Sequence, residues 1–586
     1  MADRGFVLTP TYRVIGGRPQ VHLYAVLETG EPALVVDTRL RPYFFIRRVD
    51  RTKARPTLGD RVGVETALTA FDGAPVDRVD VDAPADVPEL RRRLMAAGVR
   101  TFEADVRFAY RYLIDRGIRG AFSVAGAFER RPGVGRVYQN PEIGPADWVP
   151  SLRVLSFDIE TSLDGERLFS IAVSGTGGDR VFIVGQSVVV GAEVVPDERS
   201  LLVRFLAHVR EADPDVLTGW SVVEFDLSVL QRHARRLGLR LALGRNDEEL
   251  DIQRDQSFTR EPRATVCGRV VLDGLALLRS SYIRLEDYRL DTAAQALLGK
   301  RKLIAGEHRG AEIEAAYRDD PAKLAAYNLV DAQLVLEILA TTKLIDLTVQ
   351  RSRMTGMQLD RVSAQIAAID SLYLGALRAR GRVAPSVGAG GDATGGISGG
   401  LVLDSRPGLY RNILVFDFKS LYPSLVRTFN IDPFTYVPGG AGAVLRTPSG
   451  ACFRAGEVGI LPALVAQLWD ERARARAAGD AVGAQATKIL MNSMFGVLGS
   501  PASRLFAPAV ANAITTAGQH VIRLAVAAVQ ALGHRVIYGD TDSLFVDIGE
   551  ADVGRAEVAG ETLRAAIGTA VGAALTREFG CTSYLE

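Results

Sequence analysis

Apolar positions in the first 150 residues fall in short runs, Val21 to Leu27, Ala33 to Asp37 and Pro42 to Ile46, broken by Gly, Pro and Arg. That texture predicts strands, with one helix near 88–97. From Leu152 the pattern changes. Leu152 to Ile159 reads as a buried strand, Leu168 to Ser174 and Arg180 to Val184 continue a meander, and Ser200 to Arg210 carries helical spacing. A strand at Val216 to Trp220 and a helix starting near Phe225 complete a mixed sheet flanked by helices. Pro321 opens a helix through about Thr341, with Leu324, Tyr327, Asp331 and Leu334 on one side. A second helical region runs to about Arg380, and the Gly-rich stretch Val387 to Gly400 reads as a linker. Beyond it are predicted a strand (Asn412 to Asp417), two long helices (Leu461 to Ala478, Val482 to Val497), a helix at 516–531 and a hairpin centred on Gly539 to Asp542.

At 586 residues the chain has room for about four domains of roughly 150 residues, which excludes a single small module. Hydrophobic residues make up 47% and charged residues 24%, so large cores can form and global disorder is excluded. Lys+Arg 70 against Asp+Glu 69 leaves a charge of +1, so any nucleic-acid surface must be local. Cys267, Cys452 and Cys581 are too dispersed for a zinc site or a disulfide framework and suit a reducing cytosol. The first residues lack an apolar leader and Val181 to Val195 is interrupted by polar residues, so neither secretion nor a membrane span is expected.

Asp158 and Glu160 lie two apart on a predicted strand and leave the same face. The flanking Leu155, Phe157 and Ile159 mark that strand as buried, where unpaired acids are costly. Tyr327 and Asp331 share a helix face, and Asp226 falls where a strand gives way to a helix. Singly, Asp226 and Asp331 also read as solvated or capping acids. Together the four carboxylates and one phenol suit two divalent cations in phosphodiester hydrolysis, with Tyr327 orienting the attacking water.

A second set sits further along. Asp417 ends an apolar strand, while Asp540 and Asp542 lie at a hairpin tip. Asp-Thr-Asp beside Gly is also ordinary turn chemistry. Arg472 and Arg476 are four apart on one predicted helix, Lys488 and Asn492 four apart on the next, and the two basic faces could close around a triphosphate. A solvated amphipathic hairpin is the competing reading. Lys is scarce in this Arg-rich chain, which makes Lys488 among apolar neighbours a candidate phosphate contact.

The first set resembles the exonuclease motifs of family B DNA polymerases: Asp-Ile-Glu, a Phe-Asp pair, then Tyr-x-x-x-Asp. The stretches Asp404 to Tyr410, Val415 to Ser424, Lys488 to Gly499 and Tyr538 to Ser543 resemble the palm and fingers of the same family, in its bacterial polymerase II type. The resemblance implies a multidomain α/β and α+β fold: an N-terminal domain (1–150), a ribonuclease H-like 3'-5' exonuclease (151–345), a helical segment and linker returning to the N-terminal domain (346–390), palm (391–455 and 501–586) and fingers (456–500). It further implies template-directed DNA synthesis with proofreading, of a repair or translesion type, on primer-template DNA and deoxynucleoside triphosphates. Two Mg2+ ions would serve each site, with Mn2+ possible, in a bacterial, nucleoid-associated cytoplasmic enzyme. Asp417, Asp540 and Asp542 would be metal ligands in synthesis, and Asp158, Glu160, Asp226 and Asp331 in editing. Tyr422 would exclude a ribonucleotide 2'-hydroxyl, and Arg472, Arg476, Lys488 and Asn492 would hold the triphosphate.

Three features depart from that pattern. The linker ends without a Tyr before Gly399-Gly400, Phe495 precedes Gly496 where the family usually has Tyr, and the chain stops at Glu586 before a primer-grip motif. The thumb and a clamp-binding peptide are therefore expected to be absent, although a sliding clamp is an expected partner of the full-length enzyme. A 3'-5' exonuclease whose C-terminal half only binds DNA, or a non-catalytic scaffold, are the alternative readings.

Overall fold

The computed structural model describes residues 2–61, 63–253, 262–303, 309–388 and 396–586. Residues 389–395 of the Gly-rich linker, with the 390/391 domain boundary, lie outside them. The chain divides into two compact units, residues 1–42, 81–86 and 106–364 in the first and 43–80, 87–105 and 365–586 in the second.

The first unit holds a seven-stranded and a six-stranded sheet. The seven-stranded sheet is built on the hairpin Asp3–Ile15 with Arg18–Leu27, where Ile15 pairs with Arg18. Its two-residue turn is Gly16-Gly17, both at positive φ (57° and 75°), the geometry whose twist matches that of the strands. In the six-stranded sheet, Val154–Thr161 runs antiparallel to Leu168–Gly175 on one side and parallel to Val216–Gly219 on the other. Phe157, Ile171, Phe205 and Leu230 fill its core with the helices Glu198–Ala212 and Asp226–Arg236. The Pro321–Thr341 helix starts on its proline as expected, with Asp320 capping the Lys323 amide. It is long and apolar enough for a membrane span, but Ala325, Ala332 and Leu324 pack it onto the sheet.

The second unit carries a four-stranded sheet of Tyr43–Arg47, Val64–Thr69, Pro75–Asp80 and Thr101–Phe102. A separate four-stranded sheet places Arg535–Asp540 and Ser543–Asp547 between Val402–Leu403 and Leu414–Asp417. The helices Ile460–Ala477 and Ala481–Leu498 form a hairpin about the Gly479-Asp480 turn. The predicted helix at 516–531 begins earlier, at Pro508, and Val553–Phe579 forms a helix that periodicity did not single out.

The first 150 residues are thus shared between the units. Long-range pairing explains the division: Thr69 bridges to Arg382 and Phe102 to Pro385, and Glu103 accepts from Arg378 at 2.9 Å. Arg504, 2% exposed in its side chain, joins Asp105 at 2.8 Å and also binds Asp370. A buried guanidinium so paired is costly to strand, and it ties segments almost 400 residues apart.

Candidate active sites

Asp158, Glu160 and Asp331 converge in the first unit, each offering an oxygen within 4.8 Å of the others. Among the described residues no other three acids, histidines or cysteines gather this closely. The strand Val154–Thr161 supplies the first two on one face, and the helix Pro321–Thr341 lays Asp331 over them. Asp226, first residue of its helix, joins through Oδ1, which accepts from the Ile159 amide at 3.2 Å. Asp158, Glu160 and Asp226 open onto a cleft of about 1610 Å³ together with Lys302 and Arg309, whereas Asp331 is fully buried and does not line it.

These acids are short of partners. Glu160 Oε1 and Asp331 Oδ1 are buried without a hydrogen bond among the described residues. Lys302 pairs with Asp331, and Arg309 lies 3.7 Å from Glu160 and 3.9 Å from Asp331. Burial, then the charge of Asp331, pushes the Asp158 carboxyl up to about 7, against the opposing pull of Lys302 and Arg309. Burial and Asp158 raise Glu160 and Asp226 well above the usual carboxylate range, and burial raises Asp331. Tyr327 is fully buried, its hydroxyl has no hydrogen bond among the described residues, and burial and Asp331 raise it too. All-oxygen donors with unmatched negative charge fit hard divalent cations.

In the second unit, Asp417 pairs across the ladder with Ser543, and Asp540 closes the hairpin against the same residue. Burial, then Asp417 and more weakly Asp540, raise the Asp542 carboxyl. The three do not reach the spacing of the first cluster. Between Asp540 and Asp542, Thr541 adopts φ +53°, a strained conformation for a β-branched residue. Its amide donates to Leu401 O at 2.9 Å, and a Cβ on Gly400 would lie 2.4 Å from its Oγ1. Glycine at 400 is what lets the strand approach the turn that carries the acids.

A cavity of about 200 Å³ brings together Tyr422, Asn492, Phe495, Thr541 and Asp542. The Tyr422 and Phe495 rings stand 4.8 Å apart at 46°, so the Phe found at 495 packs on the candidate sugar gate. Lys488, Asn492 and Gly496 are exposed along the outer side of their helix, while Ile489, Leu490 and Met491 are buried. Burial and the neighbouring Arg476 lower Arg472, whose buried Nε has no hydrogen bond among the described residues, an arrangement suited to an anion.

Periodicity and motif missed Lys302, Arg309, Ser170 and Asn328. Scarcity of Lys in the chain, the signal applied to Lys488, would have found Lys302. Asn328 lies inside the Tyr-x-x-x-Asp segment, three residues before Asp331 and hence on its face.

The sequence profile for DNA polymerase family B matches residues 359–579, and that for the DNA polymerase family B exonuclease domain matches residues 99–293. DNA polymerase II of Escherichia coli is 36% identical over 561 residues, covering 93% of this chain and 70% of that protein. A DNA polymerase of Pyrococcus glycovorans is 27% identical over 583 residues, 92% of this chain and 71% of that one. The solved structure of the family B DNA polymerase from Pyrobaculum calidifontis superposes with a TM-score of 0.79 at 27% identity, over 100% of this chain and 77% of that one. With its exonuclease and polymerase regions both matched, the chain belongs to the family B DNA polymerases, DNA-directed DNA polymerases with 3'-5' exonuclease activity.

Proposed function

We propose that the chain edits DNA 3' ends at Asp158, Glu160, Asp226 and Asp331 and extends them at Asp417, Asp540 and Asp542, each by phosphoryl transfer assisted by two divalent cations, Mg2+ or Mn2+. The close set of buried acids, with Lys302 and Arg309 alone among the described residues to offset it, is the observation that carries the editing half. Bound cations would activate the attacking oxygen and stabilise the leaving one. The chain's own groups do the rest. Tyr327, held over the cluster, orients the attacking water, and the Ile159 amide fixes Asp226. In synthesis, Arg472, Arg476, Lys488 and Asn492 bind the triphosphate and Tyr422 with Phe495 walls the sugar. The exonuclease (151–345), palm (391–455 and 501–586) and fingers (456–500) keep the boundaries expected from sequence, whereas the 1–150 and 346–390 segments are each divided between the two units. A repair or translesion role rests on likeness to the polymerase II type.

The test is an exchange of losses on one labelled primer-template with Mg2+. Asp158→Ala with Glu160→Ala should abolish removal of mismatched 3' nucleotides and leave synthesis, whereas Asp542→Asn should do the reverse. Editing that survives the double substitution at the parental rate would sink the assignment.

A further inference from the structure

The Asp158 carboxylate is held from behind by a buried amide. Asn328 Nδ2 donates to Asp158 Oδ2 at 2.7 Å, and Ser170 Oγ donates to Asn328 Oδ1 at 2.8 Å. Ser170 and Asn328 are both fully buried. The direction of this chain of bonds follows from the groups themselves. An ionised carboxylate only accepts, so the amide must turn its NH2 toward Asp158, and its oxygen then faces Ser170, whose single hydroxyl hydrogen is spent there. Without Ser170 the amide could flip and present its oxygen to the carboxylate.

Register explains how the three meet. Ser170 lies directly opposite Glu160 on the neighbouring strand, and Ala172 opposite Asp158, so both point to the face that carries the acids. On the covering helix Asn328 is flanked by Ala325 and Ala332, which pack with Ala172. Small apolar residues would serve this contact by themselves. A fully buried polar pair among alanines costs desolvation unless every group is satisfied, and here the satisfaction ends on Asp158.

We propose that Ser170 and Asn328 are positioning residues that fix the plane of the Asp158 carboxylate and thereby set the divalent-cation affinity of the editing site. The inference rests on the reading of Asp158 as a cation ligand. Hydrogen-bond partners of this kind are typically worth about 10- to 100-fold in metal affinity.

Mn2+ binding to the full chain, followed by water-proton relaxation, tests it alongside the Mn2+ dependence of nucleotide removal from a single-stranded oligonucleotide. Asp158→Ala defines the class of Mn2+ sites that belongs to the cluster. Asn328→Ala should weaken that class by about 10- to 100-fold and raise the half-saturating Mn2+ concentration in step, with the maximal rate falling less. Ser170→Ala removes only a hydroxyl and should weaken the same class by a smaller factor than Asn328→Ala, at the low end of the range of about 10- to 100-fold. If Asn328→Ala melts early in chelator, Ser170→Ala carries the test. Parental Mn2+ affinity in the folded variants, with the class still lost in Asp158→Ala, overturns the relay. No class lost in Asp158→Ala overturns the ligand reading on which the relay stands.

Discussion

Neutralising one acid of the editing cluster should stabilise the cation-free protein while removing its nuclease function. The perturbation is Asp158→Asn, which keeps the shape and deletes the charge. Ionising a carboxyl held at about 7 instead of its ordinary 3.8 costs the fold about 4 kcal/mol. Burial comes first in this cost and repulsion second: two unit charges at the outer limit of 4.8 Å, at an effective dielectric of about 20, repel by about 3.5 kcal/mol. The value of about 7 already includes the opposing pull of Lys302 and Arg309, and burying the new amide costs about 1–3 kcal/mol of the gain, so a net gain of about 1–3 kcal/mol is expected at pH 8 in chelator. For a unit of this size that raises the melting midpoint by about 1.5 °C per kcal/mol. The pH dependence has a definite sign. Between 3.8 and about 7 the folded Asp158 holds a proton that the unfolded chain has released, so parental stability falls as pH rises through that window. The variant should show a shallower fall, and added Mg2+ should stabilise the parent more than the variant. Differential scanning calorimetry from pH 5 to 8, with chelator or Mg2+, reads all three. A midpoint at pH 8 in chelator that is unchanged or lowered would refute the argument that these acids repel in the fold.

Two further substitutions probe the second unit. Tyr422→Ala should relax discrimination against ribonucleotides in single-nucleotide insertion, because removing the ring opens the wall of the cavity shared with Asp542; equal discrimination by variant and parent would reject the gate. Gly400→Ala would drive a Cβ into Thr541 and displace the turn between Asp540 and Asp542, and since a shift of about 1 Å in a reacting group can cost about a hundredfold, synthesis should drop by at least tenfold while 3' end removal is kept. Synthesis at the parental rate would show that the turn absorbs the contact.

Local order was legible from the chain alone. The helix Pro321–Thr341 announced itself by Pro at its first position and apolar residues at helical spacing, and the hairpin at Asp540 to Asp542 by a turn between apolar runs. Asp158, Glu160, Asp226, Tyr327 and Asp331 could be named as a set because each stands at a strand or helix position whose direction follows from its own neighbours. What those positions do once brought together depends on pairings across the fold. Register put Ser170 opposite Glu160, helix-on-sheet packing set Asn328 behind Asp158, and the loop after the helix Leu290–Leu298 brought Lys302 against Asp331. The division of the first 150 residues was decided in the same way, by Arg504 reaching Asp105 and by bridges at Thr69 and Phe102. Periodicity encodes which face of an element is apolar, because that depends on residues a few positions apart. The partner that covers the face, and the charge that burial then leaves unmatched, arise only when segments hundreds of residues apart exclude water between them, and that was decided by the tertiary structure.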